Sequence, residues 1–361
     1  MRLRHAFTTA IAIAALAFAG SASLASAAPR SFFAVVEGGP LQANDAATMA
    51  ETGVTSYRFA LRWSLREPNR NSFDWSRSDA VVAKLAFRGI SAFPFLYGTP
   101  SWLAKHPDAP PLRGKKKSAW VNFLKEAVRR YGPGGSYWSG GPTSPFQLQC
   151  LCTAEPKPIK AWQIWNEPNY VNYWQGKPSA TGYAHLVKIS HKAITSVDKR
   201  AKIVLAGLKP TKHAKTSAWN FLASIYRVPG IKAAFDATAL HPYASNISVL
   251  RRAIQKVHAA QKRHRDAKTP LWLTELGWGS GDPSTSHLNK GTQGQKRILK
   301  RSFRLILHNR KRWSIGRLFW FSWRDGGSFA TGSCDFCESA GLLNADGSPK
   351  PSYSAYKGFA K

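Results

Sequence analysis

The sequence predicts an α/β fold, a single (β/α)8 TIM barrel, and three observations predict it. Eight short apolar runs recur along the chain, at 32–36, 55–61, 91–96, 161–165, 202–206, 237–240, 271–274 and 317–321. Between several of them, apolar residues recur every three or four positions, the spacing of one helix face. Strands alternating with helices imply parallel pairing and right-handed crossovers, and eight such units close into a barrel. A doubly wound open sheet is the rival architecture. It needs fewer strands, and no G-x-G-x-x-G follows the first apolar run.

Taken in order, residues 1–27 are not part of that fold. A basic start, an apolar run at 10–19 and Ala25-Ser26-Ala27 have the layout of a signal peptide. The apolar run is shorter than the roughly 20 residues a spanning helix needs, and no later segment is apolar enough for a transmembrane span. Residues 28–361 are expected to form one barrel domain. Val81, Val82, Leu85 and Ala86 make the first helical stripe, with Gly89 as its stop. Trp120, Phe123, Leu124, Ala127 and Tyr131 make the second, opened by Ser118 and closed by Gly132. Leu186, Ile189, Ala193, Ile194 and Val197 make a third, and Ile298, Phe303, Leu305 and Ile306 a fourth, after the seventh strand. The Gly/Pro-rich stretches 132–145 and 277–294 read as loops within the domain. Phe59, Phe93 and Phe95 read as barrel interior.

The charge is strongly one-sided: 52 Lys and Arg face 19 Asp and Glu, a net +33. Such a field attracts polyanions: acidic polysaccharide, wall polymers or anionic membrane surfaces. A well-solvated surface is the plainer reading. No zinc-finger, KH-type or RNP-type motif accompanies the charge, so specific nucleic-acid binding is not expected. Four cysteines fall in two close pairs, Cys150/Cys152 and Cys334/Cys337. In an exported chain they suggest disulfides within each pair, although a four-cysteine zinc site has the same spacing.

In a barrel of this kind reactive groups gather at the C-terminal ends of the strands. The fourth run exits through Trp165-Asn166-Glu167-Pro168-Asn169, the seventh through Thr274-Glu275-Leu276-Gly277-Trp278. Two carboxylates on one barrel mouth, one of them in apolar surroundings, suit retaining glycoside cleavage: one protonates the leaving oxygen and the other attacks the anomeric carbon. No strand end gathers a His/Asp cluster, so neither metal nor organic cofactor is expected.

With His241-Pro242-Tyr243 at the sixth strand and Thr99-Pro100-Ser101-Trp102 after the third, these segments resemble the clan of (β/α)8 retaining glycosidases with catalytic glutamates on strands four and seven. The turn is similar to that of its β-xylosidase-like and β-galactosidase-like branches. Gly341-Leu342-Leu343, Asp346-Gly347 and Lys350-Pro351 resemble the last loop and helix of cellulase-like members. The resemblance spans essentially all of 28–361. It departs at strand three, where several branches carry a histidine and this chain reads Tyr97-Gly98-Thr99. It implies a secreted glycoside hydrolase cleaving β-linked oligo- or polysaccharides by double displacement, with Glu167 as acid/base and Glu275 as nucleophile. Asn166 would bind the sugar 2-hydroxyl. Arg58 would hold the nucleophile ionised, since an adjacent cation favours the charged carboxylate. Tyr243 would donate to Glu275, His241 would line the subsite, and Trp320 or Trp323 would form the sugar platform. Alternatives stay open from the residues themselves: Arg58 as a structural ion pair, His241 as core, Trp102 as core or platform. A barrel that kept its pocket and lost turnover is the competing function, and a polyanion-binding surface protein the third. Loops 105–117, 134–153 and 279–294 are expected to shape the subsites.

Overall fold

The run Ser56–Arg62 alternates Tyr57, Phe59 and Leu61 with Arg58 and Ala60, so a single strand carries an apolar face and a polar one. That period of two governs the whole sheet. In the computed structural model, which describes residues 28–151, 153–326 and 334–361, all eight predicted strands are present. They are β1 (Phe33–Val36), β2 (Ser56–Arg62), β3 (Ser91–Tyr97), β4 (Ala161–Ile164), β5 (Lys202–Leu208), β6 (Ala237–Leu240), β7 (Leu271–Leu276) and β8 (Ile315–Trp320). They pair in parallel, in chain order, and β8 returns to β1 with Phe33 opposite Leu318, closing a (β/α)8 barrel. The expected leader, residues 1–27, lies outside the described residues.

Two apolar layers follow from the alternation. Tyr57, Phe59 and Leu61 face the helices and join the large core between barrel and helix ring. Phe93 faces the lumen, packed on Trp272 and Phe319 at 5.1 and 5.3 Å between ring centroids. The expectation that Phe59 is interior is therefore corrected. With Arg58 turned into the barrel, its chain neighbour must turn out. Phe95 faces inward but lies at the mouth, under the Arg58 guanidinium at 4.1 Å.

The helices are α1 (Asp45–Thr52), α2 (Trp63–Arg66), α3 (Ser76–Phe87), α4 (Gly114–Tyr131), α5 (Pro145–Cys150), α6 (Ala180–Thr195), α7 (Ala218–Tyr226), α8 (Ile247–Arg263), α9 (Gly291–Asn309) and α10 (Pro351–Ala360). α4 begins at Gly114, before Ser118, because its first turn is solvated lysine and carries no apolar stripe to betray it. α9 likewise begins inside the expected 277–294 loop. Large aromatics pin helices to the barrel wall. Trp63, Trp120 and Phe123 pack with centroids 5.2–5.8 Å apart. Each buried ring of this kind contributes about 4–6 kcal/mol of apolar burial.

Cys334 and Cys337 are disulfide-bonded to each other, so that pair is not a zinc half-site. Cys150 is also disulfide-bonded, and its expected partner, Cys152, lies outside the described residues. No helix among the described residues is long and apolar enough to cross a membrane.

Candidate active site

The exit of β4 is where local backbone and chemistry first meet. Trp165 and Glu167 have φ of +70° and +37°, a left-handed conformation that costs an L-residue about 1–3 kcal/mol and persists only where surrounding contacts dictate it. Those contacts are present. Trp165 is fully buried, its indole N–H donates to Tyr173 O at 2.6 Å, and its amide continues the ladder to Leu96 O. Two residues on, Asn169 clasps the exit of β5. Its Nδ2 donates to Lys209 O at 2.7 Å and its Oδ1 accepts from Lys209 N at 3.1 Å. The Lys209 ammonium then rests over the Tyr170 ring at 4.2 Å.

Arg58 organises the polar floor. Its Nε donates to Gln163 Oε1 at 2.6 Å, Nη1 to Glu275 Oε1 at 2.7 Å and Nη2 to Asn166 Oδ1 at 2.9 Å. One guanidinium thereby fixes side chains from β4, its exit and β7 in one plane of donors. Gln163 is held in turn by Leu205 O and Thr274 Oγ1. With its carbonyl taken by Arg58, Asn166 has its amide nitrogen left to offer a ligand. The second oxygen of Glu275 accepts from Tyr243 Oη at 2.5 Å. His241 Nδ1 lies 2.9 Å from Glu167 Oε1 and 3.4 Å from Glu275 Oε2.

The two carboxylates sit in different environments. Burial raises the pKa of Glu167, against the opposing pull of Lys209 and Arg58. Glu275 has both oxygens engaged by donors, one of them a cation. Burial lowers the His241 pKa to about 3, so the imidazole is neutral and serves as a hydrogen-bonding bridge. Burial, then Glu275, drives the Tyr243 pKa well up and keeps its hydroxyl a donor. One ligand atom from each of Glu167, His241 and Glu275 falls within 4.8 Å of the others, a set with the chemistry to hold a cation. Arg58 competes for that place, since its own charge is already on Glu275.

A cavity of about 870 Å³ opens over this floor and continues past Gly38–Leu41 to α3, where Arg77, Ser78, Val81 and Lys84 line it. Of the expected residues, Arg58, Asn166, Glu167, Tyr243 and Glu275 line it, and His241 lies fully buried behind them. Trp320 and Trp323 do not, which corrects the expected platform. Trp320 turns outward against Trp278 and Phe303, and Trp323 is anchored by its N–H to Asp45 Oδ1 at 2.9 Å. The alternation of β8 instead leaves Phe321 at the mouth. Trp102 also lies off the cavity, half-buried, donating to Glu67 O at 3.0 Å. Among the described residues of the loops expected to shape subsites, Leu288 of 279–294 reaches the cavity and none of 105–117 or 134–153 does. The walls come instead from Gly38–Leu41, Tyr170–Tyr173 and the disulfide-tied Cys334–Cys337 turn. Sequence reasoning also missed Glu37 and Lys209, which line the cavity one position beyond β1 and β5. The rule that located Glu275, a polar residue at the end of an apolar run, would have found both.

Residues 136–356, more than half of the chain, match the family described as the glycosyl hydrolase catalytic core. The chain belongs to that family. This glycosyl hydrolase core segment holds Glu167, His241, Tyr243 and Glu275, whereas Arg58 comes from the three strands before it. No curated protein matches the chain. Among solved structures it is similar to a family 39 glycoside hydrolase from the gut symbiont Bacteroides cellulosilyticus WH2 (TM-score 0.65, 19% identity, 93% of this chain and 64% of that one). It is also similar to the GH39 enzyme from Xanthomonas axonopodis pv. citri (0.64, 17%, 93% and 67%). A monomeric beta-xylosidase from Caulobacter crescentus CB15 is a third (0.62, 16%, 91% and 67%). At these identities the likeness is one of fold. The chain spans only about two thirds of the length of these structures.

Proposed function

We propose that this glycoside hydrolase core is an exported retaining enzyme acting on β-linked saccharides, with Glu167 as acid/base and Glu275 as nucleophile. One observation carries the proposal: the two carboxylates approach within 4.8 Å from opposite electrostatic settings. Retaining enzymes hold their carboxyl groups about 5–5.5 Å apart, while inverting enzymes need roughly 6.5–9.5 Å to seat a water. Glu167, buried and raised in pKa, keeps a proton to give. Glu275, against Arg58, is equipped to attack as a carboxylate.

In the first step a Glu275 oxygen bonds to the anomeric carbon while the Glu167 proton passes to the glycosidic oxygen, whose bond to that carbon breaks. In the second, Glu167, now a carboxylate, takes a proton from water as the water oxygen displaces Glu275. The sugar leaves with its original configuration and both glutamates return to their starting states. Asn166 and Arg58 orient the ring and the nucleophile. A cavity of about 870 Å³ is in the range of small-ligand sites and suits a short saccharide. The β-linked substrate class is supported by the clan resemblance and by the beta-xylosidase among the similar structures. Export is supported by the leader pattern and by the Cys334–Cys337 disulfide, a bond of oxidising compartments.

Proton NMR of the first-formed product tests the mechanism. A β-linked substrate should release the β-hemiacetal before mutarotation. An α-configured first product would mean that water attacks directly, and would reject the nucleophile role of Glu275.

A further inference from the structure

The positive charge is not evenly spread. α8 carries Arg251, Arg252, Lys256, Lys262 and Arg263 and no acidic residue. α9, packed beside it, carries Lys296, Arg297, Lys300, Arg301 and Arg304 and again no acidic residue. Both helices bury a narrow apolar stripe, Leu250, Ile254 and Val257 on one and Leu299, Phe303 and Ile306 on the other. The cations occupy the solvent side: all five of α8 are exposed, as are Arg297, Arg301 and Arg304. Among the described residues no carboxylate lies within ion-pair distance of any of the ten. Lys256 is spoken for only by the Trp219 ring, at 4.4 Å. Elsewhere Arg129, Arg130 and Lys202 have an acidic partner and other exposed cations such as Lys115 and Lys199 have none either among the described residues, so the density of cations, rather than their lack of partners, marks this wall.

Net charge confers solubility wherever on the surface it lies, so solubility alone does not call for cations gathered on one face. Packing ten like charges on two neighbouring helices raises self-repulsion with nothing in the chain to relieve it. We infer that the α8–α9 wall is a docking surface for an acidic polysaccharide, a chain of carboxylate-bearing sugars lying outside the catalytic cavity. The inference rests on the glycosidase reading only for the choice of a glycan; the charge pattern stands alone. On α9 cations recur with each helical turn, about 5.4 Å apart, comparable with the advance of one sugar in an extended chain. β7, which carries Glu275 one position before its end, leads into α9, so the first turn of α9 is the end of this wall nearest the mouth. A bilayer fits less well. Surface-bound helices insert bulky apolar groups, and Val249, 39% exposed, is the one large hydrophobic residue that α8 or α9 presents to solvent. Single-stranded nucleic acid fits less well too, since neither helix offers an exposed aromatic for base stacking.

Binding to polygalacturonate, measured by calorimetry across salt concentrations, tests the inference without any need for turnover. The full chain should bind this polymer and not a neutral glucan of similar length, with log affinity falling linearly against log salt. Replacing Arg252, Lys256, Arg297 and Arg301 together by Gln should weaken binding at least about tenfold and flatten the salt slope. Replacing four exposed lysines elsewhere, Lys115, Lys117, Lys192 and Lys199, by Gln removes the same net charge and should change affinity less than about threefold. Melting curves of both variants verify folding. Equal loss in the two variants would reduce the effect to net charge and overturn the docking face. So would tighter binding to anionic vesicles or duplex DNA than to polygalacturonate. Loss of catalysis by a glutamate variant leaves this binding untouched, so failure of the activity and failure of the docking face are told apart.

Discussion

Glu275 accepts from Arg58 and Tyr243, and both donors are aligned by partners of their own. Glu275→Gln keeps an acceptor for Arg58 but removes the charge that would attack. The expected outcome is a folded protein whose initial rate falls more than about a hundredfold. Retained rate with an unchanged melting curve would remove Glu275 from the chemistry. Glu167→Ala should differ in kind. Substrates with acidic phenol leaving groups should still glycosylate the enzyme and then stall, and azide should restore turnover by replacing the activated water. Uniform loss without rescue would count against the acid/base role. The pH profile tests the electrostatics. Burial raises the Glu167 pKa and Lys209 pulls it back. As the proposed acid, Glu167 would work while protonated, so kcat/KM should fall on the alkaline side as pH rises through that pKa. Lys209→Gln removes a cation that favours the carboxylate, raises the pKa further, and should move the alkaline limb to higher pH. An unmoved limb would mean that some other group sets it.

At the scale of the element, β5 must let β6 come close. Its ladder to β6 shifts register between Val204 and Gly207. A Cβ placed on Gly207 would land on the His241 ring. The same ring has its Nε2 buried with no partner among the described residues and turns its Nδ1 to the two carboxylates. Gly207→Ala should push the imidazole toward Glu167 and cost about 1–3 kcal/mol of stability, the usual price of overpacking, together with activity. Adding His241→Ala should remove most of the stability penalty of Gly207→Ala, a non-additivity readable from four melting curves. Additive losses would mean that the two residues do not share the space.

The barrel as a whole is closed by hydrogen bonds between its first and last strands, and Tyr356 of the C-terminal helix donates to Ala34 O in β1. Neither half of the chain completes a sheet alone. Scanning calorimetry should therefore give one cooperative endotherm, and a chain cut between β4 and β5 should not fold as separate halves. Two resolved transitions would show that the halves are independent units.

How much of this was legible in the sequence can be traced to particular residues. Strands were readable because eight apolar runs alternate with polar turns, and Glu167 and Glu275 were readable because each ends such a run. α7 and α8 escaped notice although Leu250, Ala253, Ile254 and Val257 have helical spacing; the stripe is diluted by the cations between them. The tryptophans could not be assigned by eye. Trp320 and Trp323 are equally aromatic on the page, and only the structure decides that both turn to the core, Trp320 by the pleat of β8 and Trp323, beyond the strand, by its bond to Asp45, while Phe321 turns to the cavity. The sequence by itself determined the order of elements, the barrel class and the candidate carboxylates, because periodicity and strand-end position are local properties. Only the tertiary structure decided the gap between Glu167 and Glu275, the three-way grip of Arg58, the place of Lys209 and the gathering of unpaired cations on one wall. Those depend on closing the sheet, which brings residues more than a hundred positions apart to within a hydrogen bond of one another.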